Sequence, residues 1–267
     1  LDLLRSNHGL NCFSCTSNGN CELQALCHEY RVEVASMPNL REAAKATMVD
    51  AHPFLQYDSN KCIHCLRCVH TCARLTGRRA ITVVRQGTRN QILAPFGENW
   101  DATLCESCGN CAQACPVGAL SEKRTNDYRE WEVTTVRTTC PHCATGCQLD
   151  VKVKDNKVVD VLGADGPSNN GLLCVKGRSG SFDFADHEDR LRTPLIKNPE
   201  TGIFEEATWD EALDLVAAKL SALRDAFGGE ALAGFACSRS TNEDLYMMQK
   251  MVRTAFKTNT VDNCARV

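Results

Sequence analysis

Cysteine spacing constrains this chain more than any other feature. Eighteen of its 267 residues are cysteines, and most of them fall in tight CxxC runs rather than in scattered pairs. So many thiols indicate either the disulfide framework of a small secreted domain or a set of metal ligands. The first residues, Leu1-Asp2-Leu3-Leu4-Arg5, contain no apolar stretch of leader length. The pattern therefore predicts thiolates kept as metal ligands in a reducing cytoplasm.

Charge and hydropathy exclude two classes of partner. The formal net charge is −3, so the sequence predicts no basic field for nucleic acid. No run of about 18 apolar residues occurs, so we expect no membrane span, although the partner could itself lie in a membrane.

The middle of the chain contains an internal repeat. The run Cys62-x2-Cys65-x2-Cys68-x3-Cys72 recurs 43 residues later as Cys105-x2-Cys108-x2-Cys111-x3-Cys115, followed by Pro116. In two-cluster ferredoxins the fourth cysteine of each run ligates the cluster of the other run. The spacing thus predicts one [4Fe–4S] cluster on Cys62, Cys65, Cys68 and Cys115, and a second on Cys105, Cys108, Cys111 and Cys72. Two zinc sites are the alternative, which a doubled CxxCxxCxxxC run disfavours.

A first group, His8-x3-Cys12-x2-Cys15-x5-Cys21, precedes the repeat. It has three cysteines, so the fourth ligand is either His8 or Cys27. With the following Glu22-Leu23-Gln24 it resembles the His-ligated cluster motif of the large iron–sulfur subunit of complex I, of related hydrogenases and of NAD-linked formate dehydrogenases. The resemblance implies a [4Fe–4S] cluster on His8, Cys12, Cys15 and Cys21. In those families a [2Fe–2S] domain precedes the motif, so we expect that this N-terminus is cut.

A fourth group follows the repeat as Cys140-x2-Cys143-x3-Cys147-x26-Cys174, a spacing that a zinc ribbon could also have. The segment Cys174-Val175-Lys176-Gly177-Arg178 resembles the signature that closes the N-terminal cluster domain of molybdopterin oxidoreductases. That resemblance implies a fourth [4Fe–4S] cluster on Cys140, Cys143, Cys147 and Cys174. It also implies that Lys176 relays electrons between this cluster and the pterin and that Lys176 and Arg178 contact the cofactor. A solvated surface lysine is the alternative for Lys176. The three remaining cysteines are expected to be small buried residues or spare thiols: Cys27, Cys237 and Cys264.

Local patterns predict several elements. The segment 149–161 alternates apolar and polar residues around Asp155-Asn156, which predicts a hairpin that returns Cys174 towards Cys140. Thr208 and Glu211 form a capping box that opens a helix ended by Gly228-Gly229. We further expect a polar helix over Asn39–Asp50, a buried strand over Ala231–Cys237 and a second helix opened by Asn242-Glu243-Asp244.

These patterns predict an α+β chain with four parts. They are a His-ligated cluster domain over 1–55, a two-cluster ferredoxin-like domain over 56–130, a small β-rich [4Fe–4S] domain over 138–195 and the truncated start of an α/β molybdopterin-binding domain over 196–267.

Nearly the whole chain is similar to the catalytic subunit of cytoplasmic, NAD(P)- or ferredoxin-linked formate dehydrogenases. The resemblance implies reversible oxidation of formate to CO2 at molybdenum or tungsten held by two molybdopterin guanine dinucleotides. It implies four [4Fe–4S] clusters, flavin- and iron–sulfur-containing partner subunits in a hetero-oligomer, and a cytoplasmic location. The ending Val261–Val267 resembles the stretch just before the metal-binding Cys or selenocysteine of that family. We therefore expect that the chain stops at a selenocysteine codon.

Other functions remain open on the sequence alone. The large iron–sulfur subunit of complex I, a pure electron relay, shares the first and last motifs. A free-standing multi-cluster electron carrier and a zinc-based interaction module are further alternatives. Another molybdopterin substrate, such as nitrate, is harder to exclude because the substrate-binding residues would lie beyond Val267.

Overall fold

A computed structural model describes residues 1–6, 8, 11–33, 48–49, 52–84, 91–93, 104–180, 182, 184–185 and 187–264. The chain divides into two compact units, the first formed by Leu1–Cys140 with Cys147–Ser181 and the second by Pro141–Gly146 with Phe182–Val267. None of the helices in the described ranges combines the length and apolarity needed to cross a bilayer.

Helices and short strands alternate along the described residues, in keeping with the predicted α+β class. The α-helices are α1 Asp2–Ser6, α2 Glu22–Glu29, α3 Arg67–His70, α4 Asn110–Gln113, α5 Val175–Ser179, α6 Trp209–Phe227 and α7 Asn242–Met251. The strands are β1 Met48–Val49, β2 Leu55–Asp58, β3 Thr82–Val84, β4 Gln91–Leu93, β5 Leu120–Glu122, β6 Thr134–Thr139, β7 Gln148–Lys154, β8 Lys157–Gly163, β9 Leu195–Lys197, β10 Phe204–Glu206, β11 Gly234–Ala236 and β12 Val261–Asn263.

The core of the first unit lies around an antiparallel sheet of order β1-β2-β5. Strand β2 alternates in burial, so Leu55 and Tyr57 point into the core beside Leu120 of β5. Buried cysteines of both halves of the repeat belong to the same hydrophobic cluster, among them Cys62, Cys72 and Cys111. The sheet therefore brings the two runs of the repeat, which are far apart in sequence, into one core.

The two runs of the repeat share an unusual backbone. His64 and Leu66 in the first run have φ of 54° and 62°, and Ser107 and Gly109 in the second have 57° and 69°. Left-handed residues at equivalent places turn the chain tightly between consecutive cysteines. A short helix follows each loop, α3 in the first run and α4 in the second. The sequence repeat is thus also a repeat of local structure.

The predicted hairpin is confirmed. Strands β7 and β8 pair antiparallel, closed by Asp155 and Asn156 with φ of 50° and 60°. Positive φ at both central residues is the requirement of a type I′ turn, which Asp and Asn tolerate better than other side chains. Strand β6 pairs with the other edge of β7, giving a three-stranded antiparallel sheet.

The second unit contains the predicted capped helix. The Thr208 side chain accepts from the Glu211 amide while the Glu211 carboxylate accepts from the Thr208 amide, and Gly228 ends α6 at φ 81°. The second predicted helix is confirmed as α7, with Thr241 as its N-cap. Strands β11 and β12 pair in parallel, as expected where a helix connects two strands of an α/β sheet.

One expectation about an element was correct only in part, and another lies mostly outside the described residues. The strand predicted over Ala231–Cys237 is only Gly234–Ala236, and Phe235 at its centre is 73% exposed. Its first residue, Ala231, belongs instead to the helical turn Gly229–Ala231, which follows directly on Gly228. The helix predicted over Asn39–Asp50 lies mostly outside the described residues, and Met48–Val49 at its end form strand β1, held by pairing with β2.

Candidate iron–sulfur sites

Three thiols predicted to bind the first ferredoxin-like cluster lie close enough to act on a fourth. Burial, together with the nearby charges of Cys115, Cys62 and Cys65, raises the pKa of Cys68 to about 12. These three are the residues that the crossed ligand pattern combines with Cys68. Burial also raises the pKa of Cys115, with Cys62 adding to the effect. The structure thus brings Cys115 of the second run to the three thiols of the first.

The second predicted set has the same arrangement. Burial raises the pKa of Cys111 well above its usual range, and the thiol charges of Cys108, Cys68, Cys105 and Cys72 add to the effect in that order. The action of Cys68 on Cys111 makes the two predicted sets neighbours. Cys72, the last cysteine of the first run, also raises the pKa of Cys105, and its place in the second set stays a prediction.

Backbone amides point at several of these sulfurs. In each run, the sulfur of the first cysteine accepts a hydrogen bond from the amide two residues later. The His64 amide donates to Cys62 and the Ser107 amide donates to Cys105, both at 3.4 Å. The Ala80 amide donates to Cys72 Sγ at 3.2 Å. Hydrogen bonds to sulfur stabilise the charged thiolate and are one of the factors that set the potential of a cluster.

The first group lines a cavity of its own. His8, Cys12, Cys15 and Cys21 all line it, together with Gly118 from the loop after the repeat. A Cβ on Gly118 would lie 2.5 Å from Cys15 Sγ, so a glycine is needed there. Cys27 lines a neighbouring cavity of ≈ 620 Å³ with His8, Cys12 and Cys21. The choice between His8 and Cys27 therefore stays a prediction.

The fourth group is divided between the two units. In the first unit the Cys140 amide donates to the Cys147 carbonyl at 2.8 Å, and a Cβ on Gly177 would lie 3.6 Å from Cys140 Sγ. Cys174 is the N-cap of α5. Cys143 lies in the segment Pro141–Gly146 of the second unit. A shared site of all four cysteines stays a prediction.

Donor chemistry in these sets fits iron–sulfur clusters. Each ferredoxin-like set offers four thiols, partly or fully buried apart from the exposed Cys65, and amide hydrogen bonds reach some of the sulfurs. A bound metal centre needs thiolates, so its binding releases protons from sulfurs such as Cys68 and Cys111, whose pKa burial raises. Among the described residues, no group of three or more His, Cys, Asp or Glu side chains is arranged to hold a single metal ion.

One junction in the first unit joins the first group to the repeat. The amide of Glu22, directly after Cys21, donates to the carbonyl of Pro116, directly after Cys115, at 2.9 Å. The Glu22 carboxylate accepts two bonds from Arg67 at 2.6 and 2.9 Å, a bidentate pair that lowers the pKa of Glu22. The chain thus places Cys21 beside Cys115.

A second junction joins the repeat to the last group. Asn110 of α4 donates to the Leu173 carbonyl at 2.8 Å and accepts from the Leu173 amide at 3.0 Å. Gln113 makes the same kind of reciprocal contact with Gly163 of β8, at 2.9 Å in each direction. These bonds hold the loop that ends in Cys174 against the helix that contains Cys111.

Arg178 lies at the centre of this second junction and is completely buried. It has five N–H donors, and its bonds go to the Cys108 carbonyl (2.8 Å), Glu122 (3.4 Å), the Val161 carbonyl (3.5 Å), Asn110 (3.1 Å) and Gln113 (2.5 Å). Position 109 requires a glycine, because any Cβ there would collide with Arg178. Contact of Arg178 with a pterin stays a prediction, although protein acceptors surround its guanidinium here. Lys176 is exposed, and its role as a relay also stays a prediction.

His52 is a contact residue that sequence patterns did not single out. It is 1% exposed, and its Nδ1 accepts from the amides of Phe54 at 3.1 Å and Leu55 at 3.0 Å. Its Nε2 lies 3.2 Å from Ser107 Oγ and 3.7 Å from Cys105 Sγ. A histidine before a short strand has no motif that would announce such contacts.

The three cysteines outside the predicted sets differ from one another. Cys27 is buried, as expected, in the core cluster with Leu23. Cys237 and Cys264 are exposed, and their sulfurs lie 3.8 Å apart beyond the ends of β11 and β12. Hydrogen bonds from Ser238, with Cys237 adding to them, lower the pKa of Cys264 to about 7. Of the two alternatives expected for these cysteines, this pair matches spare thiols rather than buried residues.

Four known protein families match consecutive parts of the chain. They are the NADH-ubiquinone oxidoreductase-G iron–sulfur binding region at 1–35, the ferredoxin-like domain of NADH-quinone oxidoreductase subunit 3 at 52–121, the molybdopterin oxidoreductase Fe4S4 domain at 133–184 and molybdopterin oxidoreductase at 190–267. Consecutive parts of the chain therefore match iron–sulfur ferredoxin-like domains followed by the start of a molybdopterin domain.

Individual relatives match along the full length of the chain. It is 34% identical over 268 aligned residues to the NADPH-Fe(3+) oxidoreductase subunit alpha of Geobacter sulfurreducens, and equally to an NADH-quinone oxidoreductase subunit of Rhizobium meliloti. It is 29% identical over 307 aligned residues to a Staphylococcus haemolyticus protein named "Putative formate dehydrogenase SH0748". All of this chain is covered in each case, but only 30%, 30% and 31% of the relatives. The chain thus spans about a third of the length of these relatives.

Proposed function

We propose that this chain is the electron-transfer portion of the catalytic subunit of a molybdenum or tungsten formate dehydrogenase. It would hold four [4Fe–4S] clusters between a bis(molybdopterin guanine dinucleotide) site and a partner subunit that contains flavin and iron–sulfur clusters. A [4Fe–4S] cluster, when bound, takes up and gives back single electrons. Its substrate would be formate or CO2, and the reducing conditions that so many free thiols need favour the cytoplasm.

The observation that carries the proposal is the pair of hydrogen-bonded junctions at the two ends of the repeat. Glu22 and Pro116 join the first group to the set that contains Cys115, and Asn110 and Leu173 join the other set to the loop that ends in Cys174. These contacts support a linear order, in which the His8 group is followed by the Cys115 set, the Cys111 set and the Cys174 group. A protein that relays electrons needs such an order of neighbouring centres, whereas independent zinc modules do not.

The residues of the chain would have three tasks in this function. The cysteines hold the irons as thiolates, and buried amide donors such as Ser107 favour the charged form of the sulfur. The junction residues fix the spacing between neighbouring sets through hydrogen bonds, of which those between Asn110 and Leu173 are buried. The hairpin β7–β8 returns the chain so that Cys174 lies on the same unit as Cys140.

The second candidate is a pure relay of the kind found in the large iron–sulfur subunit of complex I. It is supported by the 34% identity to the Rhizobium meliloti relative, which is named as an NADH-quinone oxidoreductase component. The first two family matches also name NADH oxidoreductases. Both candidates use the four cysteine groups in the same way, and they differ in the metal and substrate of the complete protein.

The test uses the full-length protein purified under strict exclusion of oxygen. Its molybdenum and tungsten contents are measured, and formate is added while the clusters are followed by electron paramagnetic resonance (EPR). The proposal predicts about one molybdenum or tungsten per chain and reduction of the clusters by formate. Absence of both metals, with reduction by NADH through a partner subunit but not by formate, would favour the pure relay. Metal without reduction by formate would point to another molybdopterin substrate.

A further inference from the structure

The side chain of His52 makes contacts on both ring nitrogens that together fix its chemical state. Nδ1 accepts hydrogen bonds from two backbone amides, Phe54 at 3.1 Å and Leu55 at 3.0 Å. An amide N–H can only donate, so Nδ1 must present its lone pair. The proton of the neutral imidazole is then on Nε2, which makes Nε2 a donor.

The donor at Nε2 faces two acceptors. Ser107 Oγ lies at 3.2 Å and Cys105 Sγ at 3.7 Å, a normal separation for a hydrogen bond to sulfur. Cys105 also accepts from the Ser107 amide at 3.4 Å. His52 is only 1% exposed, so its bonds here are shielded from competing water.

We infer that His52 is a positioning residue that donates a hydrogen bond to Cys105 and thereby raises the reduction potential of the cluster held by Cys105, Cys108, Cys111 and Cys72. The inference rests on the proposed function, because it needs a cluster at these cysteines. Reduction makes a cluster and its thiolates more negative, and a hydrogen bond to a ligand sulfur stabilises the more negative state. His52 supplies such a bond from outside both cysteine runs.

The backbone donors of the two halves of the repeat match, because Cys62 accepts from the His64 amide and Cys105 from the Ser107 amide, both at 3.4 Å. The side-chain partners differ: the Tyr57 hydroxyl interacts with Cys62, whereas the His52 imidazole faces Cys105. Within its own loop, the bond from His52 favours reduction of the cluster nearer to the Cys174 group.

Two substitutions at position 52 separate the roles of the two ring nitrogens. In His52→Asn the amide oxygen can still accept from the backbone amide two residues on, as Asn does in an Asx turn. The shorter side chain, however, provides no donor that reaches Cys105. In His52→Gln the longer side chain can place an N–H near the position of Nε2. Ser107→Ala removes the competing acceptor and leaves the backbone amide in place.

The measurement is an anaerobic redox titration of the full-length protein with chemical mediators, followed by EPR. The relevant signal is the one that Cys111→Ser removes. In His52→Asn we expect the ratio of reduced to oxidised cluster at a fixed potential to fall about tenfold, which is 59 mV for one electron. His52→Gln should stay within about threefold of the wild type, and Ser107→Ala should equal or exceed it.

The outcomes distinguish this inference from the proposed function. A wild-type protein without any signal that depends on Cys111 would overturn both. A normal signal whose potential is unchanged in His52→Asn would overturn the role of His52 and leave the clusters intact. Loss of the signal in both His52→Asn and His52→Gln would give His52 a purely structural role and would overturn the inference. A potential that falls in Ser107→Ala as it does in His52→Asn would have the same meaning.

Discussion

The guanidinium of Arg178 donates from Nε to the carbonyl oxygen of Cys108 at 2.8 Å. This bond ties the loop of the second cysteine run to α5, the helix that follows Cys174. The same side chain is paired with the buried Glu122, and Arg124 donates to Glu122 and to the Arg178 carbonyl. Burial raises the pKa of Glu122, while Arg124 and Arg178 oppose that effect. The charge of Glu122 therefore depends on both Arg124 and Arg178.

Arg178→Met should destabilise the first unit strongly. It leaves the buried carboxylate of Glu122 with one cation fewer, and it removes one hydrogen-bond donor each from Asn110, Gln113 and two carbonyls. The free energy of unfolding should therefore fall by about 3–5 kcal/mol. Urea denaturation of the anaerobic protein, followed by circular dichroism, measures this. The matched control is Arg137→Met, because Arg137 makes a bidentate bond to Asp150 at 2.9 Å but is 58% exposed. It should change stability little. Equal effects of the two variants would contradict the importance of the buried junction.

Crossed ligation predicts which substitutions share a phenotype. Cys68→Ser and Cys115→Ser should alter the same EPR signal, although the two residues belong to different runs. Cys111→Ser and Cys72→Ser should alter another one. The reason is the proximity of Cys115 to Cys68 and of Cys72 to Cys111. If Cys68→Ser and Cys72→Ser altered one common signal, each run would hold its own cluster and the assignment would be wrong.

Gly118→Ala should damage the first cluster selectively. Its new Cβ would lie 2.5 Å from Cys15 Sγ and 3.1 Å from Ser17 Oγ, so the sulfur would have to move. We expect loss or distortion of the signal that His8→Ala also affects, with the two ferredoxin-like signals unchanged. Gly180→Ala is the control, because its Cβ would meet nothing closer than 3.8 Å. A normal first cluster in Gly118→Ala would show that Cys15 is not held where the structure has it.

Cys264 is exposed and should react with alkylating agents at neutral pH. The pKa of about 7 means that roughly half of this thiol is ionised at pH 7. Ser238→Ala removes the main cause of the lowered pKa, so the rate with iodoacetamide at pH 7 should fall several-fold and recover by pH 9. Trypsin releases Cys264 and Cys237 in separate peptides without any other cysteine, so mass spectrometry measures each rate. An unchanged rate at pH 7 in Ser238→Ala would contradict the role of the serine.

Local signals in the sequence predicted local structure well. The turn Asp155-Asn156 and the box Thr208–Glu211 were found because their side chains act within three or four residues of the chain. The repeated cysteine spacing predicted the repeated loops for the same reason. Strand Met48–Val49 could not be found, because it exists only through pairing with β2.

Contacts between distant segments were beyond the sequence. Arg178 matched a cofactor motif, yet its bonds reach Cys108 and Glu122, 70 and 56 residues away. His52 contacts Cys105 across 53 residues. Such contacts depend on how whole segments pack, and a single sequence contains no periodicity or spacing that reports them. The separation of Cys143 from Cys140 and Cys147 into different units was equally unforeseen.

Metal analysis of the anaerobically purified protein tests the central claim most directly. Iron, acid-labile sulfide and zinc are measured in the wild type and in Cys68→Ser and Cys111→Ser. Four [4Fe–4S] clusters on residues 1–267 predict at least about 16 iron atoms and 16 sulfides per chain, with zinc below one. Each variant should lose about four irons. Stoichiometric zinc without sulfide, together with an iron content that neither substitution changes, would contradict the account.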